Sequence, residues 1–292
     1  MDYSQRIRTI ITDKNGKITV VYKKFNNDVL FSDGHKVPIH DEELSEKLSN
    51  DDTYTRNTKD GVFSNERESN VHEPIMKEFI DICDKYSSNK PEVVFLAGGG
   101  GSGKSHVLNK EVDESKYLTI NNDHVKEMIP EYAQFQNEDI YSAAHRVHKE
   151  SSHLVDMMLE AASEHKSNIV YDATCSNVIK TLKLISMFKS KGYKVKVIGV
   201  LCDPSICLQS IHNRFIKRKR YVPKHIAISD NISARNTMIE LMSDKDIDMV
   251  LYDNNGQMHH KEPIKVYDNT QENKILSKEG LNDLYKYVDY QD

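Results

Sequence analysis

The chain has no long apolar stretch, few cysteines and no excess of positive charge, and each of these absences excludes a class of protein. Its 292 residues carry 40 Lys and Arg against 45 Asp and Glu, which gives a formal charge of −5. The longest uncharged apolar stretches, Val93–Ala97 and Val197–Cys202, are far shorter than a membrane span. We therefore expect neither a membrane protein nor a nucleic-acid binder that is basic over its whole surface.

The first residues and the cysteines favour a reducing location. Met1–Ile10 already carries Asp2, Arg6 and Arg8, which is not the pattern of a secretory leader. The cysteines form neither a C-x-x-C pair nor a regular series of spacings; they are Cys83, Cys175, Cys202 and Cys207. We expect reduced packing cysteines, no structural metal site and a cytoplasmic protein.

The N-terminal part of the sequence predicts a small β-rich extension. Ile7–Ile11 and Ile18–Tyr22 have the composition of strands, and Asn15-Gly16 between them favours a tight hairpin turn. Residues 41–70 are acidic with few large apolar side chains, which predicts a linker or a loosely held surface segment. The sequence predicts three parts: the extension with its acidic linker over 1–53, a main domain over 54–257 and a C-terminal tail over 258–292. The tail is predicted to contain a strand near Ile264–Tyr267 and a helix over Leu281–Val288.

Short apolar runs alternate with helical segments from about Val71 to Asp253. The predicted strands are Glu92–Ala97, Tyr117–Ile120, Asn168–Asp172, Val195–Leu201 and Ile247–Tyr252. The predicted helices are Lys104–Val112, Asp139–His165, Asn177–Lys191, Pro204–Lys219 and Lys224–Met242. This alternation predicts an α/β fold with a parallel sheet covered by helices on both faces.

The strongest motif is a glycine-rich loop of the form G-x-x-x-x-G-K-S. It consists of Gly98, Gly99, Gly100, Gly101, Ser102, Gly103, Lys104 and Ser105, between a predicted strand and a predicted helix. Glycines allow backbone N–H groups to surround phosphate oxygens, and the helix N-terminus favours the same anion. Lys104 can reach the β- and γ-phosphates, and the Ser105 hydroxyl can bind Mg²⁺. The motif predicts binding of a nucleoside triphosphate, against the alternative of a glycine-rich loop with a chance lysine.

Motifs of other triphosphate-binding classes do not occur in the sequence. A GTPase would carry an N-K-x-D element, and a motor or AAA-type ATPase would carry a strand that ends in paired acids. The candidate strand here ends in a single acid, Asp172. This favours a small-molecule or nucleotide kinase, in which an arginine-rich lid follows late in the chain.

Two carboxylates follow predicted strands at their carboxyl ends, where ligands bind in parallel sheets. Asp123 follows the strand Tyr117–Ile120 and is our candidate for the base that orients and deprotonates an acceptor hydroxyl. The same residue type would also suit the N-cap of a helix over Asp123–Met128. Asp172 is the candidate for Mg²⁺, directly or through water.

A basic cluster late in the chain predicts the lid. It consists of Arg214, Lys217, Arg218, Lys219 and Arg220. Arginines of such a lid would stabilise the charge of the transferring phosphoryl group. The alternatives are the solvated basic end of a helix and a nucleic-acid patch, and the spacing does not show which arginine acts.

Glu150 lies on the apolar face of a predicted helix, with Val147, Leu154 and Met158 at helical spacing. An acid on that face needs a partner or a ligand, unless it reaches solvent at the boundary of the core. Both interpretations stay open from the sequence.

The ordered set of these segments resembles a zeta-toxin-type kinase domain over about residues 54–255. The resemblance lies in Glu66–His72, in Val93–Gly98 with the loop that follows, in Ile120–Lys126, in Lys149–Ser152 and in Val170–Thr174. Ala173 stands where the family has glycine, and the lid arginines follow another spacing than in the toxins.

The resemblance implies ATP- and Mg²⁺-dependent phosphorylation of a hydroxyl group. The best-known members phosphorylate UDP-N-acetylglucosamine and are inhibited by an antitoxin. By this likeness Asp123 is the base, Lys104 and Ser105 hold phosphate and Mg²⁺, and Glu150 and Thr174 lie at the acceptor. Arg214, Arg218 and Arg220 correspond only loosely to the lid arginines.

We therefore expect a kinase that transfers the γ-phosphate of ATP to a small-molecule hydroxyl acceptor, with a nucleotide-sugar as the leading candidate. An antitoxin-like protein inhibitor is an expected partner. One alternative is a polynucleotide or nucleotide kinase, in which the basic cluster would follow a phosphate backbone. The other is an ATP-dependent binding module without phosphoryl transfer.

Overall fold

The computed structural model describes residues 51–218, 220–257 and 261–287, and the backbone of four strands in the N-terminal region. These strands are β1 (Arg6–Thr12), β2 (Ile18–Lys24), β3 (Val29–Leu30) and β4 (Lys36–Val37). β1 pairs antiparallel with β2 and places Thr12 opposite Ile18, so the predicted hairpin strands are confirmed. The predicted turn at Asn15-Gly16, the linker residues 41–50 and the predicted helix end at Val288 lie outside the described residues.

A six-stranded sheet forms the centre of the described fold. After a short hairpin of β5 (Thr58–Lys59) and β6 (Val62–Phe63), its strands are β7 (Glu92–Ala97), β8 (Leu118–Asn121), β9 (Ile169–Asp172), β10 (Lys194–Leu201), β11 (Ile247–Asp253) and β12 (Ile264–Asp268). Their spatial order is β12-β11-β10-β7-β9-β8, and β12 runs antiparallel to β11 while the other pairs are parallel. The predicted parallel sheet is confirmed for five strands, with an antiparallel edge strand added.

Helices cover both faces of this sheet. They are α1 (Thr53–Asn57), α2 (Asn65–Arg67), α3 (Glu73–Cys83), α4 (Lys104–Glu111), α5 (Asn122–Met128), α6 (Glu131–Glu138), α7 (Ala143–Arg146), α8 (His148–Glu164), α9 (Val178–Ser190), α10 (Pro204–Arg218), α11 (Lys224–Leu241) and α12 (Lys278–Asn282), and a π-helical turn over Glu68–His72 joins α2 to α3. Alternate residues of β7 separate the two cores, because successive side chains of a strand point to opposite faces. Val93, Phe95 and Ala97 pack with α3, α8 and α9, whereas Val94 and Leu96 pack with α4.

The single helix predicted over Asp139–His165 is two helices. Val147, with φ −109° and ψ 0°, departs from the dihedral angles of a regular α-helix and separates α7 from α8. The break follows from the packing of α7, whose Ala143 and Ala144 are buried. Apolar spacing alone could not show it, since the same residues fit one continuous helix.

The expectation of a loosely held segment over 41–70 is wrong for the residues from 51 onward. Asp51 accepts a hydrogen bond of 2.8 Å from Arg146, and the carboxylate of Asp52, which is 1% exposed, pairs with Lys149 at 2.8 Å. Phe63 is buried against the ring of His72. Asp51 and Asp52 are thus paired with cations of α7 and α8, and this part of the segment belongs to the packed fold.

Within the described residues, no helix is both long enough and apolar enough to span a membrane. All four cysteines are buried free thiols, in agreement with their expected packing role. In the same part of the chain, no group of three or more His, Cys, Asp or Glu side chains is placed to hold a metal ion.

Candidate active site at the glycine-rich loop

The glycine-rich loop joins β7 to α4 at the carboxyl edge of the sheet, where the strand order changes direction between β9 and β10. Such crevices are the usual ligand sites of open α/β sheets. The amide of Gly98 donates a 3.0 Å hydrogen bond to the carbonyl oxygen of Thr174 and ties the loop to the end of β9. Gly98, Gly101 and Gly103 have φ of 140°, 78° and 90°, which residues with a Cβ rarely adopt.

Replacing Gly101 by Ala is expected to destabilise the protein more than replacing Gly192 by Ala. The φ angles are 78° and 81°, so the two substitutions introduce a similar backbone strain. A Cβ at Gly101 would lie 2.5 Å from the carbonyl oxygen of Cys207, whereas a Cβ at Gly192 would have no neighbour within 4 Å. In urea unfolding we expect Gly101→Ala to lose about 1–3 kcal/mol more than Gly192→Ala. Equal losses would contradict the close packing of the loop.

Lys104 lies over the loop. Its ammonium group donates hydrogen bonds of 2.9 Å to the carbonyl oxygen of Gly98 and of 3.2 Å to that of Gly99. Burial lowers the pKa of Lys104, and the charge of Asp172 opposes this effect. Ser105 follows in the first turn of α4 with an exposed side chain. A cation and a hydroxyl group thus stand together at the end of the loop.

Asp172 and Thr174 follow at the end of β9. Asp172 Oδ2 accepts a 2.6 Å hydrogen bond from the amide of Asn121, which ends the neighbouring strand β8. The Thr174 hydroxyl donates to Ser176 at 3.0 Å. Asp172 and Thr174 are half-buried, and the charge of Asp172 acts on Lys104 of the loop.

Asp123 lies in the first turn of α5. The N-cap of this helix is Asn121, whose side-chain oxygen accepts from the amide of Asp123 at 2.7 Å, so the alternative of Asp123 as the N-cap is wrong. The Asp123 side chain is 41% exposed, and its Oδ1 lies 3.2 Å from the ammonium group of Lys126. Burial lowers the pKa of Lys126 to about 8, and the charge of Asp230 opposes this effect. Since Asn121 caps the helix, the carboxylate of Asp123 is not used as a cap.

Arg220 of the basic cluster, the predicted lid, contacts this carboxylate. The guanidinium of Arg220 forms an ion pair with Asp123 Oδ2, and burial lowers the pKa of Arg220. Arg214 is half-buried on α10, and its charge contributes to the lowered pKa of Lys104. The side chain of Arg218 lies outside the described residues. The structure thus places Arg220 in contact with the candidate base, Asp123, and Arg214 close enough to Lys104 for their charges to interact.

Aromatic rings connect the lid to the body of the protein. Tyr141, in the turn before α7, lies 5.5 Å from Phe215 and 5.1 Å from Tyr221, measured between ring centroids. Phe215, within the basic cluster, and Tyr221, directly after it, lie 5.6 Å apart between ring centroids. Edge-to-face aromatic pairs of this kind contribute about 0.5–1.5 kcal/mol beyond area burial. The rings therefore help to hold Arg220 near Asp123.

Glu150 is fully buried in an ionic network. Its carboxylate accepts from Arg67 at 2.7 and 3.0 Å and lies 2.8 Å from Nε2 of His72. The other edge of the Arg67 guanidinium binds Glu131 at 2.7 and 2.8 Å. Burial by itself raises the pKa of Glu150, but the hydrogen bonds from His72 and Arg67 outweigh it and lower the pKa to about 2. Contact between Glu150 and an acceptor stays a prediction, since both of its oxygens are already hydrogen-bonded.

Several residues at the site were missed by sequence reasoning. Asn254 donates to the carbonyl oxygen of Ser102 at 2.8 Å, and Gln257 donates to that of Gly101 at 3.1 Å. Both follow the carboxyl end of β11, so the rule that singled out Asp123 could have found them. Asp230 on α11 lies near the charges of Lys104 and Lys126, and nothing in the local sequence pattern indicates this position.

Comparisons with known proteins agree with the fold described above. A structure of the PezAT chromosomal toxin–antitoxin system of Streptococcus pneumoniae matches with 17% identity and a TM-score of 0.58, over 79% of this chain and 91% of that one. A structure of AvrRxo1-ORF1:AvrRxo1-ORF2 with sulphate ions matches with 17% identity and a TM-score of 0.62, over 79% and 76%. At this identity the likeness shows the fold.

Another structure of AvrRxo1-ORF1:-ORF2, described as containing ATP, matches with 17% identity and a TM-score of 0.55, over 71% of this chain and 68% of that one. The search of curated proteins finds no significant match. The zeta toxin family model matches residues 78–272, which is more than half of the sequence and includes the loop, Asp123, Asp172 and the lid. The chain therefore belongs to the zeta toxin family of P-loop kinases.

Proposed function

We propose that this protein transfers the γ-phosphate of ATP to a hydroxyl group of a small metabolite. The observation that carries the proposal is the convergence of Lys104, Asp123 and Asp172 at one edge of the sheet, with Arg220 of the lid on Asp123. Family membership supports a phosphotransferase, and a similar structure described as containing ATP supports the nucleotide. A loop lysine, a carboxylate base and a lid arginine are the usual parts of a phosphoryl-transfer site.

Ser105 and Asp172 are the residues that would hold Mg²⁺. Hydroxyl and carboxylate oxygens suit this hard cation, which is usually held by one or two protein groups together with phosphate oxygens and water. When bound, the ion would neutralise charge on the β- and γ-phosphates.

The chemical step assigns one role to each residue. Asp123 orients the acceptor hydroxyl and takes its proton as the new oxygen–phosphorus bond forms and the bond to the β-phosphate oxygen breaks, leaving ADP. Lys104 holds the phosphates, and Arg214 and Arg220 stabilise the charge that spreads over the transferring group. Because Arg220 pairs with Asp123, it must move toward the phosphates before the carboxylate can accept a proton.

The acceptor class and the protein partner are finer proposals. We assign the acceptor to small metabolites, with a nucleotide-sugar such as UDP-N-acetylglucosamine as the first candidate, because Arg220 turns inward to Asp123 and not outward to a backbone. An antitoxin-like inhibitor is the proposed partner, since a similar structure is described as a toxin–antitoxin system. Thr174 and Glu150 remain the proposed acceptor-side residues, and 54–257 the proposed kinase domain.

Incubation with γ-labelled ATP and a metabolite extract tests the proposal. We expect label in a small molecule with the unsubstituted protein and none with Asp123→Ala, since that variant removes the proton acceptor. Equal labelling by both proteins, or no labelled acceptor at all, would exclude the kinase. Label in a polynucleotide fraction that falls steeply with added salt would instead favour a polynucleotide kinase.

A further inference from the structure

Arg235, near the centre of α11, is a buried arginine outside the candidate active site. Arg235 is 1% exposed and its guanidinium hydrogen-bonds in three directions. Nη2 donates to the carbonyl oxygen of Cys202 at 2.8 Å, Nε donates to the side-chain oxygen of Asn231 at 3.2 Å, and Nη1 donates to Asp283 Oδ2 at 3.1 Å. Nη1 also donates to the main-chain oxygen of Asp283.

One of these contacts leads to the glycine-rich loop. Asn231, one turn before Arg235, donates to the carbonyl oxygen of Cys202 at 3.1 Å and to the sulfur of Cys207 at 3.2 Å. It packs directly on Gly99, because a Cβ added there would lie 2.8 Å from the Asn231 Cβ. Arg235 therefore fixes the side chain that forms one wall of the loop.

The opposite contact leads to the C-terminal segment, residues 278–287. Asp283 belongs to this segment, and the Tyr287 ring centroid lies 5.1 Å from the Arg235 guanidinium carbon. The Tyr287 hydroxyl and the Lys286 ammonium group both bind Asp203, which precedes α10. The segment lies beyond the residues that the family model matches, which end at 272.

The energetics of this arrangement favour a geometric role over simple stabilisation. Burying a guanidinium costs several kcal/mol before pairing, and well-packed apolar side chains often give equal or greater stability. Four acceptor atoms on three residues match the planar fork of arginine, and lysine could not satisfy them together. The group is thus suited to holding Cys202, Asn231 and Asp283 in fixed positions.

We propose that Arg235 is a positioning residue for the phosphate-binding loop, and that the C-terminal segment 278–287 anchors it through Asp283. This inference rests on the proposed kinase function, because it assumes that the glycine-rich loop binds MgATP. In mechanical terms, Asp283 orients Arg235, Arg235 holds Asn231, and Asn231 supports Gly99. Residues outside the family match thereby set the affinity of the nucleotide site.

The test uses the full chain with two variants, Arg235→Lys and Asp283→Asn. The second is the milder change, because it removes only the charge of the Arg235–Asp283 ion pair and keeps the size of the side chain. We expect the Kd of MgATP to rise about tenfold for Arg235→Lys and about threefold for Asp283→Asn. Hydrogen exchange of the amides of residues 98–103 should accelerate in both variants, because this readout follows the loop whether or not nucleotide binds. In steady state the KM for ATP should rise while kcat changes less than twofold.

Lys189→Ala is the matched control, since it removes the 2.8 Å ion pair with Asp244 far from the loop. It should lower Tm without changing the Kd of MgATP or the exchange of residues 98–103. The proposal is overturned if the Arg235 and Asp283 variants change loop exchange no more than this control at an equal loss of Tm. If unsubstituted protein fails to bind MgATP, the proposed function falls, and loop exchange alone still decides the role of Arg235.

Discussion

Replacing Asp123 by Asn is expected to lower the rate of phosphoryl transfer by about 10²–10⁴-fold, the usual contribution of a positioned base. Asparagine keeps the shape of the side chain and can still accept a hydrogen bond, but it cannot take the proton of the acceptor hydroxyl. It also removes the negative charge that pairs with Arg220 and with the Lys126 ammonium group. Nucleotide binding should persist, because Lys104 and the loop glycines are unchanged.

Single-turnover transfer and the Kd of MgATP, measured on the same preparation, separate these effects. Glu127→Gln on the same helix is the control, since its side chain is 69% exposed and its contact with His124 is 3.9 Å long. We expect this control to retain both transfer and binding. If Asp123→Asn and Glu127→Gln transferred phosphate at similar rates, Asp123 would not be the base.

Replacing Glu150 by Ala is expected to cost about 3–5 kcal/mol of unfolding free energy, the usual effect of breaking a buried ion pair. After the substitution, Arg67, which is 8% exposed, keeps Glu131 as its only carboxylate partner of the two. His72 loses its hydrogen-bond partner Glu150. Glu160→Ala on the same helix is the control, because that side chain is 56% exposed in its pair with Lys191. An exposed pair of this kind is worth at most about 1 kcal/mol.

The same carboxylate gives stability a defined pH dependence. The pKa of Glu150 is about 2 in the folded protein against an ordinary 4.5, so the unfolded chain binds a proton more readily. Its contribution, of the order of 3 kcal/mol, is present above pH 4.5 and is lost as the pH falls toward 2. The free energy of unfolding in urea, measured for the unsubstituted protein and for Glu150→Ala at a series of pH values, should therefore become more similar as the pH falls toward 2. An unchanged unfolding free energy with a raised acceptor KM would instead favour the acceptor contact that the family resemblance implied.

The sheet and the loop could be predicted because their signals are local. A short apolar run closed by glycines determines both β7 and the turn after it, and the register of Gly98–Ser105 admits no shift. The cap of α5 was missed by two residues, since Asn121, Asn122 and Asp123 all suit an N-cap and only the strand end decides among them. The antiparallel direction of β12 was also outside what an apolar pattern can show.

Long-range pairing explains the other differences. Asp52 and Lys149 are far apart in sequence, so the local acidic composition alone could not show that Asp52 pairs with a residue of α8. That composition therefore predicted a linker or a loosely held surface segment. Arg235 similarly carries no pattern of its own, because its partners outside α11 are Cys202, directly after β10, and Asp283 of the C-terminal segment. The proximity of Arg220 to Asp123 depends on how the lid crosses the crevice, which residue spacing does not determine.

The Arg67–Glu150 pair also bears on where the chain can be shortened. A protein trimmed to the family-matched residues 78–272 would keep Glu150 inside α8 and lose both Arg67 and His72. A carboxylate would then be enclosed without a cation or a hydrogen-bond donor from its own chain, a costly arrangement. We therefore expect a piece that starts at residue 78 to be less stable than one that keeps Arg67 and His72, and expression boundaries should be placed before Asp51.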